Sequence, residues 1–155
     1  MGPVTVRTAT AGDAASIARL LAEGSLDEGA EDPEDPGAYA AAIGRIRASH
    51  GEVLVAEVDG SVVGVVEVMV LEHLQHRGAR CCEIESLHVD AALRSRGIGA
   101  CLLDAVERFA TQRGCYRIQL TSRAVRTEAH RFYVANGFVA SHVGFKRWLG
   151  HPGTP

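Results

Sequence analysis

Residues 53–71 constrain the fold more tightly than any other stretch. Val53-Leu-Val-Ala-Glu-Val58 and Val62-Val-Gly-Val-Val-Glu-Val-Met-Val-Leu71 are two β-branched runs separated by Asp59-Gly60. Asp-Gly accepts the left-handed geometry of a tight hairpin turn, so the two runs must pair antiparallel. A further run, Glu83-Ile-Glu-Ser-Leu-His-Val89, follows a loop rich in His and Arg. An antiparallel sheet therefore occupies the middle of the chain.

The flanks read as helices with short strands. Val4 to Ala9 alternates apolar and polar, as a strand does. Thr10-Ala-Gly-Asp13 has the spacing of a capping box, with Asp in place of Glu or Gln. Ile17, Leu20 and Leu21 follow at helical spacing, and Gly24 can end that helix. Residues 27–36 carry six acids and two prolines, the composition of a solvated loop. Its negative field also suits attraction of a cationic amine. Tyr39 to Ala48 is expected to be helical. From Gly97 the period changes again: Leu102, Leu103, Val106, Phe109 and Ala110 form one apolar stripe, stopped by Gly114. Tyr116 to Thr121 alternates as a strand, residues 128–135 suit a short helix closed by Asn136-Gly137, and Val139 to Leu149 is expected to supply one or two closing strands. The order is β-α-α-β-β-β-α-β-α-β(β), a mixed α/β fold. Residues 1–150 read as one domain, with 151–155 as a flexible tail.

Composition narrows the function. The chain has 155 residues and a formal charge of −3, so no global field draws it to nucleic acid or an anionic membrane. Aromatic residues are only 5%, too few for the basic–aromatic interleaving of a single-strand binder. No apolar run reaches the ~20 residues that span a bilayer. The start lacks the charged flank and apolar core of a signal peptide, so a cytoplasmic location is expected. Cys81, Cys82, Cys101 and Cys115 show no paired metal or redox spacing and read as small buried hydrophobes.

Arg94-Ser95-Arg96-Gly97-Ile98-Gly99-Ala100, between a strand and a helix, is the most informative segment for chemistry. A helix start offers unpaired N–H groups and a positive dipole end, and glycines let an anion approach the backbone. Arg94 and Arg96 would add charge-assisted hydrogen bonds. A Walker loop is excluded because Gly-Lys-Ser/Thr is missing. A dinucleotide fingerprint is excluded because position 102 is Leu, not Gly.

Arg-x-x-Gly-x-Gly/Ala after a strand is similar to the coenzyme A pyrophosphate signature of the GNAT N-acetyltransferase family. Ala129-His-Arg-Phe-Tyr133-Val-Ala-Asn-Gly137-Phe138 resembles the closing motif of the same family, in the right order and at the expected distance. The resemblance covers nearly the whole chain. It implies acetyl-CoA as co-substrate, residues 94–100 on the pyrophosphate, and the Leu87-His88-Val89 strand on the pantetheine arm. The amide of Val89 or Leu87 would polarise the thioester. The amine would attack directly, with Tyr133 as the acid for the departing thiolate.

The base is sought among Glu83 and Glu85, two apart and hence on one strand face, which is expected to carry Leu87 and Val89 as well. Glu85 lies nine residues before Arg94, where some polyamine-acetylating relatives have their proposed base; Glu83 lies eleven before, where histone-type relatives have theirs. Glu85 is preferred, directly or through a water. Each acid also fits a plain surface position on the sheet.

At the substrate end, His73 and His76 are a weak metal signal without further ligands, and no metal is expected. His73-Leu-Gln-His76, Glu83-Ile-Glu85, the closing motif and Ser141-His142 together look like bacterial aminoalkylphosphonate N-acetyltransferases. That implies a small primary amine with an anionic group, countered by Arg80, Arg123, Arg126 or a histidine (His73, His76 or His142). Many relatives have Asn where this chain has Arg126, so Arg126 would replace that pantetheine contact or face a phosphate or the substrate. Other expected acceptors are polyamines, amino acids, and protein N-termini or lysines. A non-catalytic acyl-CoA-binding regulatory module is the alternative function. Dimers are common in the family, and the expected C-terminal strands offer a surface for a homodimer.

Overall fold

The computed structural model describes residues 2–149; the expected tail at 151–155 lies outside them. The chain divides into two compact units, the first ending at Leu120 and the second beginning at Thr121.

The first unit is built on a five-stranded sheet in the order β1-β2-β3-β4-β5. The strands are β1 (Thr5–Thr8), β2 (Gly51–Val58), β3 (Ser61–Glu72), β4 (Arg80–Val89) and β5 (Cys115–Leu120). Neighbours from β1 to β4 are antiparallel, while β5 joins β4 in parallel. The predicted hairpin is present. Val58 pairs with Ser61, and Asp59 and Gly60 both take positive φ, 51° and 78°, as a primed turn demands.

Helices cover both faces, which is why β2 and β3 read as nearly continuous apolar runs. On one face, α1 (Ala14–Gly24) and α2 (Pro36–Ala48) place Ile17, Leu20 and Ile43 against Val53, Val55 and Val65. Each such side chain contributes ~1.5–3 kcal/mol by leaving water. On the other face, α4 (Ile98–Gln112) buries Ile98, Leu102, Val106 and Phe109. It approaches β3 closely at Gly64, where an added Cβ would lie 3.1 Å from Leu102 Cδ1. A four-residue helical turn, α3 (Gln75–Gly78), links β3 to β4.

The N-terminal capping box forms as expected. Asp13 accepts from the Thr10 amide at 2.7 Å and the Thr10 hydroxyl at 3.0 Å. Its two oxygens also take both Arg7 NH groups, at 2.8 and 2.9 Å. The guanidinium of Arg7 holds the Asp13 carboxyl well below the usual carboxylate range. The acidic loop before α2 is likewise tied down: Asp35 caps the Ala38 amide, and the Tyr39 hydroxyl donates to Glu31 while accepting from the Asp32 amide.

The second unit contains α5 (Thr127–Ala135). The closing strands expected over residues 139–149 are not formed among the described residues, which run there without strand or helix. Val139, Val143, Phe145 and Leu149 are largely exposed. Apolar alternation makes a segment able to join a ladder, but a strand exists only where a partner backbone meets it.

Candidate active site

The site of interest in the first unit is the C-terminal half of β4. Its pairing with β5 runs from Arg80↔Cys115 to Ile84↔Leu120 and stops there. Beyond Ile84, β4 is laddered only to β3. The β5-side edge of this strand is therefore open at residues 85–89.

A β-bulge marks the change. The β3–β4 register passes from Glu67↔Glu85 to Val65↔His88, with one extra residue on β4, and Ser86 adopts φ 49°. A bulge of this kind resets which side chains share a face. Glu83, Glu85 and His88 lie opposite Met69, Glu67 and Val65, hence on the α1–α2 face. Leu87 and Val89, expected beside the two acids, are displaced from that face by the bulge. Val89 instead stands opposite Gly64, the residue under Leu102 of α4.

The acids differ in their settings. Glu83 is half-buried and accepts from Gln119 Nε2 at 2.7 Å, so it is held in place by β5. Glu85 is exposed. Directly across the ladder from it stands Glu67, half-buried. Burial, and then the neighbouring Glu85 carboxylate, push the Glu67 carboxyl upward. Sequence reasoning passed over Glu67, although the same signal was there: an acid inside an apolar strand. His88 lies against the end of α1, where a Cβ added to Gly24 would overlap its ring.

β4 leads into residues 94–100, the segment expected from the sequence to meet a pyrophosphate. Asp90 caps a 3₁₀ turn at Ala91–Leu93 by accepting from the Ala92 amide at 3.0 Å. Arg94 is extended, Ser95 has φ 61° and Gly97, the N-cap of α4, has φ 82°. Alternation of this kind turns backbone N–H groups to one side as a nest for anions. The first intrahelical bond runs from the Cys101 amide to the Gly97 carbonyl at 3.0 Å. The amides of Ile98, Gly99 and Ala100 are therefore those a helix start leaves without intrahelical partners. Ile98 is fully buried and anchors this start, whereas Arg94, Ser95, Arg96 and Gly97 are exposed. Arg94 Nε donates to the Val89 carbonyl at 3.2 Å, tying the loop back to the strand end.

In the second unit, the Phe-Tyr…Gly-Phe spacing has a local cause. The Phe138 amide donates to the Tyr133 carbonyl at 3.0 Å and the Gly137 amide to the Val134 carbonyl at 3.1 Å. These are the two bonds of a Schellman stop, and Gly137 takes the left-handed position with φ 86°. The apolar contact that accompanies such a stop is the Tyr133–Phe138 ring pair, 5.6 Å between centroids. Burial pushes the Tyr133 phenol up, opposed by the charge of Arg126. Arg126 is the N-cap of α5. His142, also in this unit, is exposed and bonded to the Ser141 hydroxyl at 2.8 Å.

His73 and His76 lie at the other end of β4. His73 Nε2 is 3.1 Å from Cys81 Sγ, and the rings of His73 and His76 flank Tyr116 at 6.5 and 4.8 Å. Cys81 and Ser86 are five residues apart, roughly 17 Å along an extended strand. Arg80 is engaged by Glu72 at 2.8 Å. Burial raises the Cys82 thiol to about 12, which makes it a packing residue rather than a nucleophile. Among the described residues no group of three or more His, Cys, Asp or Glu is arranged to hold a metal ion. No helix there is long and apolar enough to cross a membrane.

An open bulged strand feeding a glycine-capped helix start coincides with a family match: the profile of the acetyltransferase (GNAT) family covers residues 17–138. The chain belongs to the GNAT family. This GNAT chain is similar to the aminoalkylphosphonate N-acetyltransferase of Salmonella typhimurium, with 35% identity over 91 residues. That alignment takes in 59% of this chain and 58% of the relative, so the chain spans a little under three fifths of that protein's length. It is also 31% identical over 137 residues to the aminoglycoside N(6')-acetyltransferase type 1 of Stenotrophomonas maltophilia, covering 86% and 85% of the two proteins. A solved structure, described as a transcriptional regulator from Bacillus halodurans C-125, has a TM-score of 0.88 at 35% identity over 95% of this chain and 100% of that one.

Proposed function

We propose that this GNAT acetyltransferase moves the acetyl group of acetyl-CoA to a primary amine of a small molecule. The observation that carries the reading is the continuity of the open β4 half, bulged at Ser86, with the amide nest and helix start at residues 95–100. A pyrophosphate fits that start because its amides are outward, Gly97 adds no side chain over it, and Arg94 and Arg96 stand beside it. The unpaired edge at Leu87 and Val89 supplies amides for the pantetheine arm and for the thioester oxygen.

Acetyl-CoA supplies an activated acyl group; the chain supplies proton handling and orientation. An ammonium has no lone pair, so Glu85 takes its proton, directly or through a water, with Glu83 as the second candidate. The role of Tyr133 as acid for the thiolate rests on the closing motif, and burial that keeps the phenol protonated suits it. Acceptors carrying a phosphonate, a polyamine chain or an amino acid are the classes favoured. The first draws support from the Salmonella relative's name, and the acidic α1–α2 loop suits cationic ones.

A second reading, an acyl-CoA-binding regulatory module without turnover, is favoured by the name of the Bacillus halodurans structure. One experiment separates the two: thiol release from acetyl-CoA, measured with 2-aminoethylphosphonate, spermidine, kanamycin and free amino acids. Acceleration by any of them supports the enzyme, and Tyr133→Phe should then lose about 10²-fold or more in kcat while retaining coenzyme binding. Coenzyme binding by calorimetry with no amine acetylated would replace the enzyme by the regulatory module.

A further inference from the structure

The acid across the ladder from Glu85 has no place in the reaction as described so far. Resting on the acetyl-transfer reading, we propose that Glu67 is a positioning residue for the base: facing Glu85 across β3 and β4, it makes the carboxylate pair, rather than Glu85 alone, the acceptor of the ammonium proton. Directly opposed residues on one sheet face have Cβ atoms ~5 Å apart, and like charges there repel. A sheet keeps such a pair at a cost in stability. The proton that relieves the repulsion is the one the reaction must remove from the amine. Its N–H bond breaks, the electron pair stays on nitrogen to attack the acyl carbon, and the proton forms an O–H bond on Glu85 while Glu67 remains the charge beside it.

The surroundings leave Glu67 to act on Glu85. Among the described residues Glu67 has no hydrogen bond and no ion pair, and its register partner on β2 is the apolar Val53. On β4 the same face carries Glu83, already bonded by Gln119 of β5, and His88 beyond the bulge. From the helices over that face, Arg19 of α1 is engaged by Glu23 and Asp90, and Arg47 of α2 by Glu52. Arg45 of α2 is exposed. On the opposite face α4 offers Asp104, Glu107 and Arg108, separated from the pair by the sheet. The upward displacement of the Glu67 carboxyl by burial and by Glu85 agrees with this arrangement.

The test follows both side-chain carboxyls by carbon-13 NMR titration of the full chain, in the wild type, Glu67→Gln and Glu85→Gln. Coupling requires each midpoint to move to lower pH when the other acid is neutralised, and Glu67→Asp, which keeps the charge, to restore most of the Glu85 midpoint. Kinetics with an active amine from the panel then give a distinctive split. Glu67→Gln lowers kcat only severalfold at high pH, where Glu85 remains as a weaker base, and moves the acid limb of kcat/KM to lower pH, because Glu85 loses its proton more easily. Glu85→Gln lowers kcat about hundredfold or more at every pH. Midpoints indifferent to each other, or an acid limb that stays in place in Glu67→Gln, overturn the proposal. Coupled midpoints in a protein that acetylates none of the amines would instead sink the enzyme reading, because the titration needs no acceptor.

Discussion

The two halves of β4 are made of the same strand but built to opposite ends. From Arg80 to Ile84 the strand is laddered on both sides, and Cys81, Cys82 and Ile84 are buried between helices. From Glu85 to Val89 it has a ladder on one side only, a bulge at Ser86 and one acid, Glu85, facing Glu67 of β3, before it turns toward the helix start. The first half is paired along both edges; the second leaves its β5-side edge open. Two-sided and one-sided pairing thus meet within ten residues of one strand, and on the acetyl-transfer reading substitutions in the two halves should fail in different ways.

The sharpest contrast is expected from Glu85→Gln in the open half. Its kcat should fall about 10²–10⁴-fold with the melting temperature almost unchanged, read by thiol release and calorimetry on one preparation. A variant as active as the wild type would take the base away from Glu85. Ile84→Ala, one residue earlier, should do the reverse. It should lose about 3 kcal/mol in urea unfolding through the cavity it leaves, while the fraction that remains folded turns over normally.

A smaller effect is expected at Gly97, where φ of 82° disfavours any side chain. Gly97→Ala should cost about 1–2 kcal/mol of stability and weaken coenzyme binding at least severalfold by calorimetry. The mildest outcome belongs to Glu67→Gln. Because the folded state raises this carboxyl's pKa, its contribution is favourable at low pH and is lost as pH rises through the folded value. The variant should therefore be more stable than the wild type at neutral pH, by under about 1 kcal/mol. That gain should vanish below the carboxylate range. A variant less stable at neutral pH would mean that Glu67 is a structural anchor, and the contrast between the halves would blur.

What could be read from the sequence was what short-range chemistry decides. Asp59-Gly60 specifies its turn, Thr10 and Asp13 their cap, and Asn136-Gly137 the stop of α5, each within a few residues. The helix start after Gly97 was visible for the same reason, whereas the left-handed turn at Ser95 was not. The bulge was not, because one extra residue at Ser86 changes no local preference yet moves Leu87 and Val89 away from the face of Glu85. Glu67 was hidden by its company, since a lone acid among valines gains meaning only when its cross-strand partner is known. The segment from Val139 to Leu149 failed oppositely: its alternation is genuine, but strand formation depends on a neighbour the pattern does not name.

Gly24 carries a last consequence. The end of α1 touches the imidazole of His88 so closely that even a methyl group there would evict the ring. The residue that ends the first helix and the seat of His88 on the sheet are thus a single decision. A relative that ends α1 with anything bulkier must also move or replace that ring.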